Sequence, residues 1–254
     1  GTVTVTNAVA ITGDHDQLTA ALVTAGTKVV VSDATVTVND VDTTAITAAE
    51  LSALGGATTG QVTVTNAVAI TGTAAEVTAA LVTADTLVVV DDAAVTVTGT
   101  PSIAELNAIA AKTTGVVTAT LAANSLANLA ALTTASTDAI TITVNDADAA
   151  ALTAANLSTL GGKTAGTVTV SNAVAITGSV AEVTAALVTA GTLVEVSNAA
   201  VTVTGTPTIT ELNNIAAKTT GVVTATLAAT TLSNLGSLTT ASTDAITATV
   251  NDGD

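Results

Sequence analysis

Short runs of alternating apolar and polar residues recur along the chain and predict half-buried β-strands. Val62–Thr65 and Ile140–Val144 are two such runs. Successive side chains of a strand point to opposite faces, so each run predicts one buried face and one exposed face. Valine and threonine are both β-branched, which favours a strand over a helix in these segments.

Helical patterns follow the strands, and their starts are marked by capping boxes. In a capping box, Ser or Thr stands three residues before Glu, and each side chain bonds the backbone N–H of the other residue. Five segments fit: Thr47 with Glu50, Thr73 with Glu76, Ser102 with Glu105, Ser179 with Glu182, and Thr208 with Glu211. Beyond Glu76, an apolar stripe at helical spacing predicts burial of Val77, Ala80, Leu81 and Ala84.

Glycines at the ends of these patterns predict left-handed helix caps, because glycine adopts a positive φ without strain. The glycines concerned are Gly26, Gly115, Gly162, Gly191 and Gly221.

A superrepeat with an offset of 106 positions covers most of the chain. Val62–Gly72 returns at Val168–Gly178, and Val95–Pro101 returns at Val201–Pro207. Each copy divides into four units, which in the first copy are 61–85, 86–115, 116–137 and 138–166. Units of this length that combine strand and helix are typical of solenoids.

We therefore predict one α/β domain over residues 1–254, a right-handed β/α solenoid with short parallel strands and one helix per coil. About ten coils of roughly 22–34 residues are expected. The coils are 1–26, 27–60, 61–85, 86–115, 116–137, 138–166, 167–191, 192–221, 222–243 and 244–254. Because the chain begins and ends within a repeat, we expect it to be part of a longer protein.

Composition narrows the function classes. The chain has no Phe, Tyr, Trp, Met, Cys or Arg, so its core must be built from thin, regular aliphatic layers. A net charge of −16 argues against nucleic-acid binding, which needs a basic patch. Polar residues interrupt every apolar run, which argues against membrane insertion. The absence of cysteine excludes disulfides and thiolate chemistry.

A recurring Asn-Asp-x-Asp pattern is the candidate metal site. It occurs at 39–42, 145–148 and 251–254. Closely spaced carboxylates suit Ca²⁺, so Asp40, Asp42, Asp146 and Asp148 are the candidate ligands. The alternative is structural, since Asn-Asp forms turns and Asp caps helices. No other cofactor is indicated.

Two further features have structural interpretations. His15, the only histidine, follows Asp14, which stands where a helix cap is expected, so His15 is predicted to be an exposed first-turn residue.

Thr-x-Thr pairs recur, and threonine rows are known from ice-binding solenoids. Thr63 and Thr65 lie in a first strand, however, whereas Thr96 and Thr98 lie in a second one. We therefore expect the pairs to alternate between faces and not to form one continuous plane. No catalytic constellation is present, and no enzymatic activity is expected.

Three sequence segments resemble known sequences: AVAITGTAAEVTAALV (67–82), NAIAAKTTGVVTATLA (107–122) and STDAITITVND (136–146). The chain resembles the Thr/Ala/Val-rich repeat regions of giant bacterial extracellular proteins, such as those of cyanobacteria. In outline the coil is similar to a leucine-rich repeat, but the LxxLxLxxN consensus is missing. The resemblance implies an extracellular or cell-surface location and supplies no catalytic motif.

The expected function is that of a structural repeat protein of the cell surface or matrix: a spacer, an adhesin stalk or a filament or layer subunit. Its partners would be neighbouring repeats or other copies stacked end to end. The alternative is a surface-binding module that uses a sheet face for calcium, a glycan or ice.

Overall fold

The computed structural model describes residues 2–252, which form an α/β structure with eighteen strands and nine helices. The strands are β1 Val3–Val5, β2 Ala10–Gly13, β3 Val29–Val31, β4 Thr35–Val38, β5 Ala45–Thr47, β6 Val62–Val64, β7 Ala69–Thr73, β8 Val88–Val89, β9 Ala94–Thr98, β10 Val117–Thr120, β11 Ala139–Val144, β12 Ala151–Thr153, β13 Val168–Val170, β14 Ala175–Ser179, β15 Glu195–Val196, β16 Ala200–Thr204, β17 Val223–Thr226 and β18 Ala245–Thr247. The helices are α1 His15–Leu22, α2 Ala48–Gly55, α3 Ala74–Leu81, α4 Ile103–Ala110, α5 Leu126–Leu129, α6 Ala154–Gly161, α7 Val180–Leu187, α8 Ile209–Ala216 and α9 Leu232–Leu235.

The chain divides into two compact units. The first unit comprises Gly1–Ala122 with Thr133–Ile140, and the second comprises Ala123–Leu132 with Thr141–Asp254. In the first unit the strand orders are β1-β3, β2-β4-β6-β8 and β5-β7-β9-β10. In the second unit they are β11-β13-β15 and β12-β14-β16-β17-β18. The strands within each of these sheets pair in parallel.

Strand pairing joins segments that are close in sequence. In the described strand pairs, the sequence separation of register partners is small for Thr224 and Ala245 and only slightly larger for Val3 and Val29. The long predicted coil 27–60 keeps this spacing because it contributes three strands, β3, β4 and β5. The first strand of the next predicted coil, β6, therefore pairs with β4, and its second strand, β7, pairs with β5. The first strands of successive predicted coils are thus not always neighbours.

The core is a stack of aliphatic layers. Ile46, Ile70, Val95 and Val117 are consecutive register partners in the first unit, and each is at most 2% exposed. Leucines of the helices, such as Leu51, are buried as well. Burial of each such side chain stabilises the fold by about 2 kcal/mol. The sequence has no aromatic residue and fills its interior with aliphatic side chains, one from each strand in each layer.

The helices are short: seven have eight residues, and α5 and α9 have four. Val77, Ala80 and Leu81 are buried as expected, but Ala84 is exposed, because α3 ends at Leu81 and Ala84 begins a 3₁₀ turn. Of the helices in residues 2–252, none combines the length and apolar character needed to cross a membrane.

The prediction of left-handed glycine caps is wrong. Among the described glycines, only Gly99 and Gly205 have positive φ. Gly162, the C-cap of α6, has φ of −72°. At Gly115 glycine is required by close packing and not by a positive φ. A Cβ there would lie 2.4 Å from the carbonyl oxygens of Asp92 and Ala93. A Cβ on Gly221 would likewise lie too close to the carbonyl oxygens of Ala199 and Asn198. Glycine at these two positions lets one turn of the chain approach the backbone of its neighbour.

Candidate functional site

The first aspartate of each Asn-Asp-x-Asp turn bonds the start of a helix that lies earlier in the chain. Asp146 Oδ2 accepts the backbone N–H of Leu126, the first residue of α5, at 2.7 Å. Asp252 Oδ1 accepts that of Leu232, the first residue of α9, at 2.9 Å. Because helix N-terminal N–H groups have no partner within the helix, a carboxylate there satisfies a free donor and also complements the helix dipole.

The second aspartate of the turn bonds in the opposite direction along the sequence. Asp42 Oδ1 accepts the N–H of Ala67 at 3.1 Å, and Asp148 Oδ1 accepts that of Ala173 at 2.9 Å. The next residues, Thr43 and Ala149, adopt positive φ of 65° and 59°. In this conformation their N–H groups donate to the carbonyl oxygens of Ala67 and Ala173, both at 2.8 Å. Asp254 lies outside the described residues.

An asparagine of the following turn completes the contact. The Nδ2 of Asn172 donates to the backbone carbonyl of Asp146 at 2.7 Å, and Asn66 bonds Asp40 in the same way at 2.5 Å. Each turn is therefore fixed on both sides, to a preceding helix and to the next turn. We call these segments, residues 39–43 and 145–149, the aspartate clips.

The clip geometry bears on the candidate calcium ligands. Asp40, Asp42, Asp146 and Asp148 each accept a backbone N–H, and the structure assigns the two aspartates of a clip to different neighbouring turns. Within residues 2–252, no group of three or more His, Asp or Glu side chains is placed to hold a metal ion. Calcium binding by these four residues stays a prediction.

His15 differs from the predicted exposed residue. Asp14 caps α1 as expected, with its side chain accepting the N–H of Gln17 at 2.8 Å. The His15 side chain, however, is only 15% exposed, and its Nδ1 lies 2.7 Å from Oδ1 of Asp40, whose side chain is 5% exposed. Oδ2 of Asp40 accepts the backbone N–H of His15, also at 2.7 Å. The prediction missed this contact because the two residues are 25 positions apart.

The surroundings raise the pKa of His15. Burial alone would lower it, but the hydrogen bond and negative charge of Asp40 outweigh that effect, with added support from Asp16 and Glu50. Oδ1 of Asp16 lies 3.6 Å from Nε2 of His15. The folded chain therefore binds the proton on His15 more tightly than the unfolded chain does.

The His15–Asp40 contact predicts a pH-dependent stability. A raised folded-state pKa stabilises the fold fully below the unfolded value of about 6.5, and the contribution is lost as the pH rises through the folded value. We expect His15→Asn to lower the unfolding free energy by about 2 kcal/mol at a pH of about 5.5, since it removes a charge-assisted hydrogen bond. At a pH of about 8.5 the loss should be smaller. Denaturant titrations followed by far-ultraviolet circular dichroism at both pH values measure the difference.

Asp16→Asn provides the control for this prediction, because the Asp16 side chain is 88% exposed and its charge is screened by solvent. It should leave the pH dependence nearly unchanged. An equal loss from His15→Asn at both pH values would contradict the role of the charged form.

The five predicted capping boxes are all confirmed. In α3, Thr73 Oγ1 accepts the N–H of Glu76 at 3.3 Å, and Glu76 Oε2 accepts the N–H of Thr73 at 2.8 Å. Donors at the cap favour the ionised glutamate, so the pKa of Glu76 is held below its usual value by the backbone N–H and then the hydroxyl of Thr73. These boxes fix where each helix begins.

A buried aspartate that the sequence analysis missed joins two turns of the first unit. Asp138 is 4% exposed, and its Oδ1 accepts the N–H of Val117 at 2.9 Å while Oδ2 accepts that of Ala135 at 2.8 Å. Asp244 makes the same two bonds to Val223 and Ala241. The sequence contains a signal for this aspartate, because the segment TTASTDAI, which includes Asp138, recurs at the superrepeat offset.

The threonine pairs are arranged partly as predicted. Thr63 stands beside Val89, so the pair at 63 and 65 does not continue into the next coil, as expected. A different series does continue: the register places Thr47, Thr71, Thr96 and Thr118 side by side on β5, β7, β9 and β10. The pair at 63 and 65 and the pair at 96 and 98 lie in different sheets, so the expected alternation between faces is confirmed for them. The row that joins Thr96 to Thr71 and Thr118 within one sheet was not anticipated.

Comparison with known proteins gives no match: no family model fits the chain, and neither a curated protein nor a solved structure is similar to it.

Proposed function

We propose that this chain is a structural repeat protein of the cell surface or extracellular matrix, acting as a spacer, an adhesin stalk or a filament or layer subunit. Its architecture would be a right-handed β/α solenoid of about ten coils. Its activity is mechanical: it holds two points apart at a distance set by the number of coils. No chemical step is part of this function.

The observation that carries the proposal is the short, uniform spacing of strand partners, which varies little between the pair Thr224 and Ala245 and the pair Val3 and Val29. A chain that pairs only with the turns before and after it has no long-range closure. It can therefore be lengthened without rebuilding a core. The aspartate clips support the same interpretation, because each bonds one turn behind and one turn ahead.

The proposed partners are other copies of the chain. In the first unit, β1 and β2 have a strand partner on one side only, and in the second unit the same holds for β18. Strand edges with unpaired N–H and C=O groups are templates for pairing with another chain. End-to-end stacking would satisfy them and extend the assembly.

Duplicating one superrepeat tests the solenoid directly. We expect a variant with residues 61–166 repeated after position 166 to remain folded and to lengthen by four strand spacings, about 19 Å. Small-angle X-ray scattering of the parent chain and the variant gives the maximum dimension of each. Circular dichroism per residue, which should be unchanged, is the control for folding.

A compact globule gives a different result. If the maximum dimension grows only as the cube root of the mass, by a few ångströms, the solenoid and the spacer function are both wrong. A gain near four spacings supports them.

A further inference from the structure

One face of each unit carries an in-register grid of threonines. In the first unit, Thr71, Thr96 and Thr118 form one row across three neighbouring strands, and all three side chains are exposed. Two residues further along, Thr73 and Thr98 are register partners in a second row, and Thr120 lies two residues beyond Thr118 on β10. We call the exposed side of β5, β7, β9 and β10 the threonine face.

The second unit repeats this arrangement at the superrepeat offset. Thr153, Thr177, Thr202 and Thr224 are consecutive register partners on β12, β14, β16 and β17. Ser179 and Thr204 begin the second row, and Thr226 stands beside Thr247 on β18. The grid is thus a property of the repeat.

The hydroxyl groups in the middle of the face are not used by the fold. Thr47 and Thr73 hydrogen-bond to Glu50 and Glu76 in their capping boxes. In contrast, the hydroxyls of five threonines make no hydrogen bond to any described residue: Thr71, Thr96, Thr98, Thr118 and Thr120. A β-branched side chain in a strand has few rotamers, which restricts the positions that these hydroxyls and methyl groups adopt.

The strands of the face contain no charged residue. The outward residues of the face are threonines with Ala45, Ala69 and Ala94 beside them, and none of the residues in β5, β7, β9 and β10 is ionisable. The chain as a whole has 20 acidic residues. The sheet formed by β11, β13 and β15 differs in this respect. There the register places Thr143 beside Thr169 and Thr169 beside the charged Glu195. Carboxylates meet the face at Thr47 and Thr73, which bond Glu50 and Glu76, whereas the strand residues between these points carry no charge.

We propose that the threonine face binds ice. Neighbouring hydroxyls repeat at about 4.8 Å across the strands and at about 6.7 Å along them, which gives a two-dimensional grid of oxygens and methyl groups on a regular sheet. Isolated hydroxyls bind a soluble ligand weakly, because water competes for each hydrogen bond. A repeating grid gains affinity only when its partner repeats with a similar period, and crystalline water does so.

The composition of the face does not favour a soluble glycan. Sugar sites need aromatic platforms or convergent polar side chains in a pocket, and the chain has no aromatic residue. The threonines and alanines of the face are also too short to form walls around a sugar ring. Ice binding does not depend on the spacer function, because each unit carries its own grid.

Ice adsorption and recrystallisation inhibition test the proposal. The probe is ice grown slowly from a dilute solution of the full chain. We expect the chain to be enriched in the ice fraction and to slow the coarsening of ice grains. The double variant Thr96→Lys with Thr202→Lys, one change in the centre of each face, should need about tenfold more protein for the same inhibition. Thr96→Val with Thr202→Val, which keeps the shape, should lose less.

Matched controls place the same charge elsewhere. Thr24 follows helix α1, and Thr210 lies on helix α8; both are exposed and neither lies in a strand. Thr24→Lys with Thr210→Lys should inhibit as well as the parent chain, with circular dichroism confirming that all variants are folded. The proposal is overturned if the folded parent chain is excluded from ice, or if the face and control variants inhibit equally. Neither result would alter the scattering test of the solenoid.

Discussion

Gly161→Ala is expected to cost about 3 kcal/mol of unfolding free energy, because the interior offers no room for the added methyl group. Gly161 is the last residue of α6 and is buried. An ideal Cβ there would lie 2.2 Å from the carbonyl oxygen of Thr192 and 2.6 Å from its carbonyl carbon. Both atoms belong to the backbone, so no side-chain rotation relieves the overlap. The helix and the neighbouring turn must move apart.

The adjacent glycine is the matched control. A Cβ on Gly162 would meet Ser158 O at 3.5 Å, an ordinary contact, and its φ of −72° suits alanine. We expect Gly162→Ala to be neutral or to stabilise by about 0.5 kcal/mol through the reduced entropy of the unfolded chain. Denaturant unfolding followed by circular dichroism compares the two.

The first unit contains an equivalent pair, which makes the comparison repeatable. Gly55 would place a Cβ 2.1 Å from Thr86 O, whereas Gly56 has its nearest contact at 3.5 Å. Equal effects of alanine at the two glycines of either pair would mean that the turns are not packed as closely as described.

The second large effect is expected for Asp138→Ala, also at about 3 kcal/mol, since it leaves buried donors without an acceptor. The N–H of Val117 is a buried donor that bonds the carboxylate, and that of Ala135 is partly buried. Asp138→Asn keeps one acceptor oxygen and should lose roughly half as much. Circular dichroism in a denaturant series measures both variants.

Asp244→Ala serves as the comparison within the same chain. Asp244 accepts the corresponding two N–H groups but is more exposed, so water can replace the lost acceptor. Its loss should be about 1 kcal/mol. Losses of the same size at positions 138 and 244 would show that burial does not set the cost.

The parts of the fold that the sequence predicts are those decided within a few residues. Thr47 and Glu50 are three positions apart, so their capping box depends on local geometry alone. The same is true of the alternation in Ile140–Val144, which forms most of β11. The parallel α/β class also follows, because strands that alternate with helices must return in the same direction.

The features that were missed depend on which turn lies beside which. His15 meets Asp40 only because two turns stack with a shift of 25 positions. The threonine row needs the alignment of β7 with β9 and then of β9 with β10, and the second step joins a second strand to a first strand. Gly115 was assigned to a positive φ, whereas the approach of Ala93 from another turn is the reason for glycine there. A sequence pattern reports spacing along the chain and not the contacts made across it.

The short separation of strand partners along the sequence also has a consequence for how the chain folds. Ala245 can pair as soon as the single turn that separates it from Thr224 exists, and the same holds for Val29 after Val3, so neither contact has to wait for a distant segment. Mean contact separation then stays constant as repeats are added, and folding rate depends little on total length. Folding can follow synthesis from the N-terminal end, with each completed turn serving as the template for the next.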